Sequence, residues 1–110
     1  GYATVSVNLP DGATVVELQG WLYDNSATNP VRVTLLRQAL GASNVGAMAE
    51  VESAAITATT VVQNLTDNTV FNQIIDNENY AYFLFFTGRQ NDTETRLYGA
   101  KITYTVTEAD

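Results

Sequence analysis

Cysteine and histidine are both absent from this chain, and each absence removes a class of chemistry. Without Cys there are no disulfides and no thiolate metal sites. Without His the usual zinc ligand and the usual general base near neutral pH are gone. Charge is also scarce: 15% of the residues are Asp, Glu, Lys or Arg, against roughly 25% in an average globular protein. The charge is one-sided, twelve acidic groups against five basic ones, for a formal net charge of −7. Such a chain is repelled by a phosphate backbone or an anionic leaflet. Its cations, Arg32, Arg37, Arg89, Arg96 and Lys101, are scattered along the sequence and form no basic cluster. Nucleic acid is therefore not an expected partner. No run of about 18 apolar residues is present to span a bilayer, and no basic stretch followed by an apolar one opens the chain. Membrane insertion is not expected, and the sequence reads as a soluble or already processed chain, or as a module of a longer one.

What is present is enough for one core. The chain has 110 residues, 45% of them hydrophobic, which suffices for a single sandwich-sized domain over residues 1–110 without metals or disulfides. Tyr2 to Leu9 alternates strictly, with Ala3, Val5, Val7 and Leu9 against Tyr2, Thr4, Ser6 and Asn8, the period of a half-buried strand. Pro10-Asp11-Gly12 forces a turn. Thr14 to Tyr23 puts Val16, Leu18, Gly20 and Leu22 on one face and Val15, Glu17, Gln19, Trp21 and Tyr23 on the other. A polar loop runs from Asp24 to Pro30. Val31 to Ala39 is a third strand, closed by Gly41-Ala42-Ser43-Asn44.

Val45 to Ala58 fits both periods, because Ala-Met-Ala-Glu carries helix-favouring residues; strand neighbours at 8–12 residue spacing favour a strand there. Thr59 to Leu65, Val70 to Ile75, Tyr80 to Thr87 and Thr95 to Thr107 complete the series. About eight strands and no firm helix predict an all-β antiparallel two-sheet sandwich, jelly-roll-like, with an immunoglobulin-like sandwich as the alternative.

Three stretches share a pattern: Leu9-Pro10-Asp11-Gly12-Ala13-Thr14-Val15 leading to Leu22-Tyr23-Asp24-Asn25, then Ile75-Asp76-Asn77-Glu78-Asn79-Tyr80-Ala81-Tyr82, then Leu97-Tyr98-Gly99-Ala100-Lys101-Ile102-Thr103-Tyr104. Together they resemble a loosely defined group of small β-sandwich modules at the ends of secreted bacterial proteins and phage tail-fibre-like proteins. The resemblance covers nearly the whole chain. It implies a fold and an extracellular or virion-surface setting, and it carries over no catalytic or ligand residue.

Few constellations offer chemistry. The four serines, Ser6, Ser26, Ser43 and Ser53, lack both a nucleophile-elbow motif and a histidine base. Glu50 and Glu52 share a strand face, where a charged edge that blocks strand addition is the simpler reading than a glycosidase pair. The Asx-rich turns at Asp24-Asn25, Asp67-Asn68, Asp76 to Asn79 and Asn91-Asp92 offer oxygen ligands to calcium, but such residues favour turns for local reasons. Asn64-Leu65-Thr66 and Asn91-Asp92-Thr93 match the glycosylation acceptor pattern. No enzyme, cofactor or metal site is expected.

Two features point to surfaces instead. Trp21 and Tyr23 share a face with Glu17 and Gln19 and are candidate ligand-binding residues for a sugar, unless they face the core or a subunit partner. Tyr80-Ala81-Tyr82-Phe83-Leu84-Phe85-Phe86 is apolar on both faces, so Phe83 and Phe85 are candidates for an oligomer interface, unless the domain covers that face itself. The leading expectation is a non-enzymatic structural or attachment module that self-associates, as a homotrimer by analogy with fibre modules. A carbohydrate-binding module using Trp21 and Tyr23 is the alternative. Because the apolar fraction alone supports a core, removing divalent metal should leave the fold intact: adding EDTA is expected to lower the melting temperature by less than about 10 °C.

Overall fold

The structure, a computed structural model, describes residues 2–24, 31–53, 62–87 and 95–106. The described residues form seven strands and no helix: β1 (Tyr2–Ser6), β2 (Thr14–Asp24), β3 (Arg32–Ala39), β4 (Val45–Glu52), β5 (Val62–Asp67), β6 (Tyr80–Thr87) and β7 (Thr95–Thr105). They make a four-stranded sheet in the order β1-β6-β3-β4 and a three-stranded sheet in the order β5-β2-β7, antiparallel throughout. The protein is an all-β sandwich. The chain changes sheet between every consecutive pair of strands except β3 and β4. An immunoglobulin-like sandwich, which joins several strand pairs by hairpins within one sheet, is not the arrangement adopted.

Two turns rest on glycine. Ala13 N–H donates to Pro10 O at 3.1 Å, closing a turn whose third residue, Gly12, has φ of 83°. The β3–β4 hairpin repeats the device, with Ala42 N–H on Ala39 O and Gly41 at φ 78°. Side chains other than Gly and Asn rarely adopt this conformation. The ambiguous stretch from Val45 is a strand to Glu52; residues 54–58 of it lie outside the described set.

The expected strand from Val70 to Ile75 does not form. Asn72 takes φ of 53°, which breaks the extended run, and only an isolated bridge from Ile74 to Thr14 remains. The segment instead closes one end of the sandwich by crossing from one sheet to the other. Phe71 N–H donates to Met48 O, Val15 N–H to Gln73 O, Ile75 N–H to Ala13 O and Gly12 N–H to Ile75 O. The polar turn that follows is tied to the first turn: Asn77 N–H donates to Asp11 Oδ1 and Asn77 Nδ2 to Leu9 O, both at 2.8 Å. Two of the stretches that carry the sequence resemblance are thus a single interlocked unit. Leu9 and Ile75 are buried within it.

The core lies between the sheets in two adjoining clusters. One holds Val15, Leu18, Leu35, Met48 and Tyr82, the other Leu22, Val31, Val33 and Val51. Two β-bulges set which side chains enter it. A register shift between Val15 and Glu17 leaves Val16 as the extra residue of β2, so Val15 is fully buried where strict alternation placed Val16. A bulge inserts one residue and reverses the faces beyond it. The shift between Leu35 and Leu36 similarly leaves Met48 unpaired on β4, and its side chain fills the core.

Gly20 is packed closely against the opposite sheet: a Cβ built on it would stand 2.9 Å from Val51 Cγ2. Gly20→Ala should therefore cost about 1–3 kcal/mol. Thermal melts of the single and double variants should show Val51→Ala relieving part of that loss, with a coupling of about 1 kcal/mol or more. Beyond the last β3–β4 pair, Val31 N–H donates to Ser53 Oγ at 2.8 Å while Ser53 N–H donates to Val31 O, and both residues are buried. Ser53→Ala strands the Val31 N–H in the interior, so denaturant unfolding should register a loss of about 1–3 kcal/mol.

Candidate binding faces

The sandwich presents two outer faces, and the candidate site residues divide between them. On β2 the row that faces away from the core is Glu17, Gln19, Trp21 and Tyr23, opposite the fully buried Leu18 and Leu22. Trp21 and Tyr23 are half-buried and point away from the core. Across β5 the row meets Thr66, Asn64 and Val62; across β7 it meets Thr103, Lys101, Gly99 and Arg96. Gln19 Nε2 donates to Asn64 Oδ1 at 2.7 Å, so two amides stand side by side next to the indole.

Tyr98 joins this face by a route that period alone conceals. Strict alternation groups Tyr98 with Ala100, Ile102 and Tyr104, but β7 pairs Gly99 with Trp21 and Leu97 with Leu22, leaving Tyr98 as the extra residue of a bulge. Its ring meets Tyr23 edge to face, with centroids 6.3 Å apart and planes at 66°, a favourable aromatic geometry. The neighbouring Gly99 was the available signal, since glycine inside a strand often marks a bulge. Gly99 also adjoins Trp21: a Cβ there would stand 3.6 Å from the indole, an ordinary van der Waals distance.

The other face belongs to the four-stranded sheet. Register places Thr4 opposite Phe85 and Ser6 opposite Phe83 on one side, and Thr34 opposite Phe85 and Leu36 opposite Phe83 on the other. Phe83 and Phe85 therefore point away from the core, which takes Tyr82, Leu84 and Phe86 instead. Both are half-buried, and exposed Ala47, Ala81 and Val45 extend the apolar surface around them. Thr4 is part of this surface, so the polar face of β1 is not remote from the phenylalanines.

Glu50 and Glu52 lie at the rim of that face, on the edge strand β4, and Arg32 binds both: Nε to Glu50 at 2.6 Å and a terminal nitrogen to Glu52 at 2.5 Å. The hydrogen bond to Glu52 is the main reason that the guanidinium is held above its ordinary pKa. Two carboxylates committed to one arginine are poorly placed to share acid and base roles. The three side chains are more than a third exposed, so their contribution to stability is small.

The Asp67 and Asp76 carboxylates, two of the groups offered to calcium, accept N–H bonds: Asp67 takes Glu50 N–H and Thr69 N–H, and Asp76 takes Glu78 N–H and Asn79 Nδ2. Among the described residues no three carboxylates converge. Asn25, Asn91 and Asp92 lie outside the described residues. The chain matches no family model, and no characterised protein and no solved structure matches it.

Proposed function

We propose that this domain is a non-enzymatic structural or attachment module that self-associates through the outer face of its four-stranded sheet. The observation that carries the reading is the Phe83, Phe85 and Leu36 surface, laid out on neighbouring positions of β6 and β3 and left partly open to water. Covering two phenylalanines completely is worth about 1.5–3 kcal/mol each relative to full exposure, and less for rings already partly covered. The electrostatics agree. β1 and β6 contain no Asp or Glu, so two chains of net charge −7 meet with least repulsion there. The charged groups of this face sit in the Arg32, Glu50 and Glu52 corner, already paired.

Size sets the strength. Four strands about 4.8 Å apart and eight residues rising about 3.3 Å each give a face of roughly 500 Å². Two such faces bury about 1,000 Å², near the lower limit of specific interfaces. A flat sheet stacked on its own copy closes as an isologous pair, whereas the resemblance to fibre modules favours three copies. The extracellular or virion-surface setting is part of the same proposal and rests on that resemblance and on the neutral-polar surface.

Light scattering coupled to size exclusion, run over a range of micromolar concentrations, is expected to give a multiple of the 11.9 kDa chain mass. Phe83→Glu and Thr4→Glu should both shift it toward one chain, while Thr66→Glu on the opposite sheet should not. A single-chain mass at every concentration overturns the proposal, and the mass of the oligomer separates two copies from three.

A further inference from the structure

The outer face of the three-stranded sheet lies on the far side of the sandwich from the proposed self-association face, so an assembled module keeps it open. Three aromatic side chains gather there, and the core has no need of them. The inward row of β2 already supplies Val15, Leu18 and Leu22, all fully buried. Trp21 lies beside Gly99 of β7 and is half-buried. Tyr23 follows two residues along β2, about 7 Å away. Tyr98, 55% exposed, is brought beside Tyr23 by the bulge. Bulges re-aim side chains and are common beside functional sites.

Polar groups frame the rings. The Gln19–Asn64 bond uses one amide hydrogen and one carbonyl oxygen. That leaves Gln19 Oε1 and Asn64 Nδ2, an acceptor and a donor, without a partner among the described residues, and Thr66 stands exposed beside them. Flat apolar rings edged by amide and hydroxyl groups complement a pyranose, whose C–H face stacks on an aromatic ring while its rim of hydroxyls both donates and accepts. Charge selects among sugars. Glu17 and Lys101 share the face, register sets Arg96 opposite Tyr23, and the whole chain carries −7, which disfavours anionic polysaccharides.

We infer that this face is a binding site for neutral oligosaccharides, with Trp21, Tyr23 and Tyr98 as the stacking surface and Gln19 and Asn64 as hydroxyl-binding groups. The row of candidate residues runs along β2, so the site takes an extended chain lying along the strand rather than a single enclosed sugar.

Trp21 is the only tryptophan, so its emission reports ligand stacking directly. The probes are cellohexaose, xylohexaose, mannohexaose and chitohexaose, with polygalacturonate as the anionic comparison. At least one neutral hexaose is expected to shift or quench the emission with saturation below about 1 mM, and polygalacturonate is not. Calorimetry on variants with wild-type circular dichroism should show Trp21→Ala and Tyr98→Ala weakening that binding by about tenfold or more. Phe83→Glu, on the opposite face, should leave it unchanged, so the site stands or falls independently of self-association. A folded wild-type protein that responds to none of the neutral hexaoses overturns the inference, as does binding that survives Trp21→Ala intact.

Discussion

The sandwich depends on how closely β2 approaches the opposite sheet. β2 is the central strand of a sheet only three strands wide, so β5 and β7 are held in place through it. Its inward row must reach the second sheet along its whole length, and at Gly20 the missing side chain lets Val51 press against the backbone. Leu18 and Leu22, two residues to either side, are then fully buried between β3, β4 and β6. Close packing of this kind tolerates little change in volume, because interiors are packed as densely as organic crystals.

Closure at one end is a second, separate constraint. A sandwich leaves the ends of its core open to water, and here residues 68–79 act as a plug. Of its apolar residues Ile75 is buried in the same cluster as Leu9, with Val70 packed against it, while its backbone bonds both sheets. The Tyr82 hydroxyl, reaching from β6, accepts Asp76 N–H at 2.9 Å. Asx side chains at Asp11, Asp76 and Asn77 satisfy backbone groups that an irregular segment would otherwise leave without partners. That use of the side chains accounts for the clustering of Asp and Asn in these turns without invoking a metal.

The two outer faces inherit different characters from the strands that form them. β6 is apolar on both sides, and register sets its outward Phe83 and Phe85 beside Thr4, Ser6, Thr34 and Leu36 of β1 and β3. β2 is amphipathic in the ordinary sense, yet its outward row ends in aromatics. β1, β6 and β7 carry no carboxylate, which keeps negative charge off much of both surfaces. An acidic chain so arranged can remain dispersed and still offer uncharged contact areas.

Much of this was legible in the sequence, for a physical reason. Alternation of period two fixes which residues share a face within one unbroken strand. It therefore assigned Trp21 and Tyr23 to one side of β2, Phe83 and Phe85 to one side of β6, and Glu50 beside Glu52 on β4. Glycine in positions that require positive φ marked the turns at Gly12 and Gly41. What period could not fix was anything that interrupts it. Bulges depend on the register between paired strands, within the β3–β4 hairpin at Met48 and between strands far apart in the chain at Val16 and Tyr98, and so decided only in the tertiary structure that Val15 joins the core and Tyr98 the aromatic face. The stretch from Val70 to Ile75 has strand-like residues, but its hydrogen bonds are made across the end of the sandwich, where a regular strand has no neighbour to pair with. The proximity of Thr4 to Phe85 and the paired binding of Glu50 and Glu52 by Arg32 likewise come from strand order, which local sequence does not encode because it is set by the packing of the two sheets against each other.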